Sequence, residues 1–275
     1  MSSKALILLG KVIPEGKRTV LDLEVAKLHT RTTVKVPVII ERSKNPGPVV
    51  LLLAGIHGDE TNGVGIVREI IEQKINKPIN GTVICIPVFN VFGYLIQTRE
   101  FPDGRDLNRM FPGSSNGSLA SQFAYQFTKE IAPFVDYVID FHTGGGERDN
   151  IAQIRCNIDD EKALELAKVF NPPMIVFSNN ITKSLRDTLH NLGKTILLFE
   201  GGKSKELRAS HSGMFKAMAK NGTFVKKKEV LGVIQDPFGE FKKKIFAPFN
   251  CHIFCINKTP IVNKGDALFH LSIEE

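Results

Sequence analysis

Apolar and polar residues change their spacing several times along the chain, and the changes mark out its elements. Val20–Val25 and Thr32–Ile40 are rich in β-branched residues with partial alternation, which predicts two antiparallel strands ahead of the main fold. Asn45, Pro46, Gly47 and Pro48 form a turn signal, and Val49–Leu53 is then apolar without interruption, as in a buried parallel strand. Helical spacing follows over Val64–Ile71, Leu119–Ile131, Asp159–Phe170 and Leu185–Leu192. Strand-like runs lie between these, at Thr82–Phe89, Asp136–Phe141, Met174–Phe177 and Thr195–Phe199. A last helix is expected over Lys205–Lys220, closed by Asn221 and Gly222.

This alternation predicts an α/β fold, with a mixed, mostly parallel sheet flanked by helices. From Gly222 onward the pattern changes to short strands broken by turns, which predicts a small all-β C-terminal domain. The expected division is a catalytic domain at 1–222, including an N-terminal β extension at about 1–45, and the β-domain at 223–275. Asn90–Ser118 shows no period and carries several Gly, Pro and Asn residues. A loop of that length inside a compact domain usually has a functional purpose.

Composition adds limits. With 275 residues the chain buries enough surface to need no disulfide staples. Cys85, Cys156, Cys251 and Cys255 form no CxxC pair and read as free thiols, which favours a reducing compartment and a cytoplasmic protein. No apolar run approaches the ~20 residues of a membrane span. The net charge of +7 is concentrated in Lys226–Lys228 and Lys242–Lys244. No aromatic residues interleave these lysines, so they read as a solvated surface, and neither a nucleic-acid nor a membrane partner is expected.

Three clusters carry candidate chemistry. In the first, Gly55-Ile56-His57-Gly58-Asp59-Glu60 follows a buried strand, where open α/β sheets place ligand-binding residues. His57 and Glu60 are three apart, so one turn at a helix start aims both at one point, and such a pair suits zinc. The alternative is a solvent-facing His beside a helix-capping acid. In the second, Asp140-Phe141-His142-Thr143-Gly144 again follows a strand, and His142 reads as either a site residue or a structural loop histidine. Ligands of the type His, Glu, His leave one position of a tetrahedral zinc open for water, and a general base should then be close by. Glu200, between Phe199 and Gly201-Gly202, fits that role better than it fits a surface charge. The third cluster lies in the unpatterned loop: Arg99, Arg105 and Asp106-Leu107-Asn108-Arg109. A guanidinium beside an amide can clamp a carboxylate, although Arg99 and Arg105 also read as loop solubility. Asp106 is expected to orient its neighbours.

Together these motifs resemble the succinylglutamate desuccinylase/aspartoacylase family, a branch of the zinc carboxypeptidase-like enzymes. The resemblance rests on GIHGDE at 55–60, DLNRMFPG at 106–113, DFHTG at 140–144, SLR at 184–186 and FEGG at 199–202, in the family's order. The tail motifs DPFG at 236–239, APF at 247–249 and KGDAL at 264–268 extend it over nearly all the chain after about residue 45. The resemblance implies a zinc-dependent deacylase with one Zn2+ per chain, held by His57, Glu60 and His142. It implies that Glu200 activates the zinc-bound water and returns its proton to the leaving amine. Asn108 and Arg109 match the pair that binds the substrate carboxylate. Arg99 matches the arginine that polarises the scissile carbonyl, with Arg105 as its rival, and Arg186 matches a substrate-anchoring position. The implied substrate is a small N-acyl amino acid or related carboxylate. A carboxypeptidase acting on short peptides is the alternative, and a non-enzymatic zinc-containing binding module is a third reading. The family's substrate-covering tyrosine finds no match, because Tyr94, Tyr125 and Tyr137 all precede the β-domain. Substrate selection is therefore open to difference from aspartoacylase itself. Oligomeric state is open too, with the β-domain able to meet a second copy in a homo-oligomer.

Overall fold

The protein is described by a computed structural model covering residues 5–143, 148–200, 205–236, 238 and 241–273. It divides into two compact units. The first runs through Thr143 and includes Cys156–Asn171 and Ser178–Phe199; the second takes the described part of Gly144–Arg155, Pro172–Phe177 and the chain from Glu200 onward.

The first unit contains β1 (Arg18–Lys27), β2 (Thr33–Arg42), β3 (Val49–Ala54), α1 (Thr61–Glu72), β4 (Thr82–Ile86), α2 (Val91–Ile96), α3 (Leu119–Glu130), β5 (Tyr137–Phe141), α4 (Glu161–Phe170), α5 (Leu185–Asn191) and β6 (Thr195–Phe199). Its strands lie in the order β6-β5-β3-β4-β2-β1. Neighbours from β6 to β4 are parallel, and β4-β2 and β2-β1 are antiparallel. The sheet is thus mixed and mostly parallel, as its apolar pattern predicts. Leu51–Ala54 are all buried because helices cover both faces of a parallel sheet. The first two strands do not stand ahead of the fold: β2 pairs with β4, so the hairpin forms one edge of the central sheet.

Within Asn90–Ser118 the expectation of an unstructured loop is corrected in part. Val91–Ile96 is a helix, and Leu107–Arg109 a single 3-10 turn. Six residues are too few to show a period, but Asn90 carries the signal of a cap: its side chain accepts from the Gly93 N–H. The rest of the segment is held by aromatic anchors. Phe101 and Phe111 are buried with Phe89, Phe123 and Phe127, with Phe101 stacked on Phe123 at 5.7 Å and Phe111 edge-on to Phe127 at 6.0 Å. Each such side chain contributes roughly 1.5–3 kcal/mol on burial. The stretch between Phe101 and Phe111 is therefore tied to the core at both ends.

The second unit is all-β. One sheet runs Lys205–Arg208, Ala267–Ile273, Cys251–Asn257, Phe224–Val225, with Arg148–Asn150 also paired to Cys251–Asn257. The other runs Lys242–Phe246, Val230–Gln235, Gly213–Ala217, Ile261–Val262. The small all-β unit is present, and the chain from Glu200 onward belongs to it. The helix expected over Lys205–Lys220 is corrected to two strands, Lys205–Arg208 and Gly213–Ala217. Its lysines and alanines favour helix, but Phe215 points into the core while Met214 and Lys216 face solvent, a period of two. Packing of that alternation against Val230–Gln235 overrides propensity.

Cys85, Cys156, Cys251 and Cys255 are all buried. Burial pushes the Cys85 thiol up to about 12. Among the described residues no helix is long and apolar enough to cross a membrane.

Candidate metal centre

Two adjacent parallel strands place the first two clusters side by side. Ala54 at the end of β3 is paired with Phe141 at the end of β5, so residues 55–60 and His142 leave the sheet at the same edge. The backbone of 55–60 is shaped by close approach. Gly55 has φ +65°, and its carbonyl accepts from the Asn90 N–H at 2.7 Å. At Gly58 an added Cβ would lie 1.9 Å from the Gly93 carbonyl carbon in α2. Gly58→Ala is expected to destabilise the fold by about 3 kcal/mol or more, because backbone and not a flexible side chain stands in the way. Chemical denaturation measures this; a variant within 1 kcal/mol of wild type would show that α2 yields freely.

His57, Glu60 and His142 are 2–3% exposed. Among the described residues they form the cluster able to hold a metal ion, one donor atom from each lying within 4.8 Å of the others. Glu60 occupies the N-cap position of α1 yet makes no capping hydrogen bond. Its carboxylate turns to the histidines: Oε1 lies 2.6 Å from His57 Nδ1 and Oε2 2.9 Å from His142 Nδ1. The reading of a capping acid beside an exposed histidine is thereby corrected.

The far ring nitrogens are held by other carboxylates. His57 Nε2 lies 3.1 Å from Asp106 Oδ1, and His142 Nε2 2.8 Å from Asp140 Oδ2. Carboxylates behind ligating histidines fix tautomer and ring orientation. His142 Nδ1 is buried and close to Glu60 but not aligned with it as a hydrogen bond. Two Nδ1 atoms and a carboxylate converging in this way fit a divalent cation.

The charges reinforce one another. Burial opposes ionisation of Glu60, but His142 and His57 outweigh it and hold the carboxyl well below its usual range. Burial also opposes the charged form of His57, yet its bonds to Asp106 and Glu60 raise it above its ordinary value. At His142 burial is again the largest influence, and the charges of Asp140 and Glu60 overcome it and raise the group strongly. Asp106 is lowered despite burial, by His57 and Arg99.

Arg99 joins this network. Its Nε and Nη2 donate to Asp106 Oδ2 at 3.1 and 2.8 Å, and Nη1 lies 3.4 Å from Glu60 Oε1. Arg105 instead pairs with Asp103, at 3.5 Å. Asn108 is buried in the same turn. Its N–H donates to Asp106 Oδ1, and its side-chain oxygen accepts from the Leu185 N–H at the start of α5. Arg109 Nη1 donates to the Asn108 carbonyl at 2.7 Å. Arg186, one residue further along α5 and 5% exposed, donates to Ser178 Oγ and to the Asn179 carbonyl. Glu200 belongs to the second unit, where its N–H donates to the Gln153 carbonyl and its carboxylate pairs with Arg155. The glycines at 144–146 and 201–202 lie outside the described residues.

Two partners, Asp140 and Arg155, are not among the residues that the sequence motifs single out. Asp140 was legible: it stands two residues before His142 at a strand end, and positions i and i+2 share a face. Arg155 carries no such signal, since it is 45 residues from Glu200.

Residues 46–222 match the family described as the succinylglutamate desuccinylase/aspartoacylase catalytic domain. Over 177 residues the chain is 32% identical to an N-alpha-acetyl-L-2,4-diaminobutyric acid deacetylase of Halomonas elongata, a match covering 62% of this chain and 52% of that protein. The chain thus spans about half the length of this curated relative. Its fold is similar to an aspartoacylase family protein from Mesorhizobium loti, with TM-score 0.84, 23% identity and 98% of both chains covered. It is also similar in fold to a metallo-carboxypeptidase from Burkholderia cenocepacia, with TM-score 0.54 and 13% identity over 67% of this chain and 56% of that one. With its motifs in order and that family's domain matched across residues 46–222, the chain belongs to the succinylglutamate desuccinylase/aspartoacylase family.

Proposed function

We propose that this chain is a zinc-dependent deacylase that hydrolyses the amide bond of a small N-acyl amino acid or related carboxylate. The observation that carries the reading is the buried convergence of His57, Glu60 and His142, with Asp106 and Asp140 behind the two rings. Zinc suits two imidazoles and one carboxylate, and when bound it supplies Lewis acidity and makes water nucleophilic near neutral pH.

The chain's own groups would do the rest. Arg99, beside Glu60 and anchored on Asp106, would stabilise the oxyanion that develops on the scissile carbonyl. Glu200 would accept the proton of the attacking water and return it to the departing nitrogen. Its support is its place in the family's motif order, directly after β6. Asn108 and Arg109 would hold the substrate carboxylate and turn loose encounter into oriented attack, with Arg186 as a further anchor. Arg99 is favoured over Arg105 because it reaches Glu60, whereas Arg105 pairs with Asp103 and is half exposed.

Elemental analysis and a substrate panel test this reading. The expected result is about one zinc per chain and kcat/KM at least about tenfold higher on N-acyl amino acids than on short peptides, a 1.4 kcal/mol preference. Nα-acetyl-L-2,4-diaminobutyric acid belongs on the panel because of the Halomonas relative. Preference for peptides would favour a carboxypeptidase. Bound zinc with no turnover of any amide or ester would favour a binding module.

A further inference from the structure

We propose that Arg155 is a positioning residue for Glu200, holding its carboxylate in the orientation from which it accepts and donates the proton. The inference rests on the reading of Glu200 given above, and it adds a residue that neither the family motifs nor their spacing picks out.

Glu200 is fixed at two points by one short stretch of chain. Its N–H donates to the Gln153 carbonyl at 3.1 Å, and its carboxylate Oε1 pairs with Arg155 Nη1. Ile154–Cys156 is a strand in which Ile154 and Cys156 are buried, so Gln153 and Arg155 fall on the alternate positions. Backbone and side chain of Glu200 are therefore held by residues two apart. A carboxylate gripped in this manner loses rotamer freedom that a lone Glu keeps.

The surroundings are unlike those of an ion pair kept for stability. Buried polar atoms in native proteins are nearly all hydrogen-bonded. Here Arg155 Nε and both amide atoms of Gln153 are buried with no hydrogen-bond partner among the described residues. Gln153 is fully buried. The Arg155–Glu200 pair is only part-buried, and ion pairs of that kind add little net stability. Three such polar atoms within Gln153–Arg155 are costly, and a positioning role for Arg155 gives a reason for keeping that stretch polar.

The test uses the zinc-loaded enzyme and its best substrate. Arg155→Ala should lower kcat about ten- to hundred-fold with KM held within about twofold, because misaligning a catalytic group by an ångström has effects of that size. Arg155→Lys should recover part of the loss, since it restores the charge without the planar guanidinium. In the Arg155→Ala/Glu200→Gln double variant the first change should add nothing to the second. Normal kcat in a folded Arg155→Ala protein overturns the inference. So does a rise in KM alone, which would make Arg155 a substrate-binding group, and so do fully multiplicative effects. Should Arg155→Ala not fold, Arg155→Gln replaces it under the same criteria. If Glu200→Gln is itself active, the role of Glu200 fails and this inference falls with it. If Glu200→Gln is inactive and Arg155→Ala is normal, only the present inference fails.

Discussion

Glu200→Gln is expected to reduce kcat by about 10²- to 10⁴-fold while leaving zinc content at the wild-type level. The amide is nearly the same size as the carboxylate and can still accept a hydrogen bond from Arg155, so the local backbone should stay in place. What it cannot do is accept a proton. Glu200 lies outside the His57, Glu60, His142 cluster, so metal binding has no reason to change. Steady-state kinetics and elemental analysis on one preparation decide the matter. A melting curve separates lost chemistry from lost fold, since Arg155 would face a neutral partner. A variant within tenfold of wild-type kcat would remove Glu200 from the mechanism.

His142→Ala should have an equally large effect, on stability as well as on metal. The substitution removes one of three donors and also strips Asp140 of its partner. Asp140 is fully buried; among the described residues Oδ1 has no hydrogen bond, and Oδ2 is paired with His142 Nε2. A buried carboxylate left without its cation costs about 3–5 kcal/mol. Zinc should fall from about one per chain to near zero. Adding Asp140→Asn should recover much of the stability without recovering the metal. Recovery of neither, or retention of zinc by the single variant, would contradict the assigned pairing. The stability difference should also depend on pH in the metal-free proteins. His142 is raised in the folded state, so its contribution is fully present below its ordinary value of 6.5. It is lost as pH rises through the raised folded value. The gap between wild type and His142→Ala should therefore narrow toward alkaline pH.

Much of the first unit could be read from residue order alone. Val49–Leu53 announces β3 because no polar residue interrupts it, and Leu119–Ile131 announces α3 because its apolar face repeats over three turns. Two elements are hidden from the residue pattern for identifiable reasons. The helix Val91–Ile96 is shorter than two turns, so periodicity has nothing to act on. The segment after Lys205 looks helical from its lysines and alanines, but its neighbours in the folded sheet decide its state. The site shows the same division. His57 and Glu60 are local partners and announce themselves. The choice between Arg99 and Arg105 depends on where Asp106 and Asp103 lie in space, which spacing along the chain does not encode. Arg155 beside Glu200 is the extreme case, a contact made only once distant strands have met.

The pairing of β3 with β5 has a further consequence, for the order of events during folding. His57 and Glu60 can approach each other in the unfolded chain, but His142 stands 85 positions beyond His57 and reaches them only when Ala54 lies beside Phe141. Closing a loop of that length has an entropic cost that two local ligands do not offset. A metal ion present from the start would therefore find no complete set of donors until the central sheet had closed. Its capture would then be a late event, a clasp fastened on a finished sheet and not a nucleus around which the sheet is built.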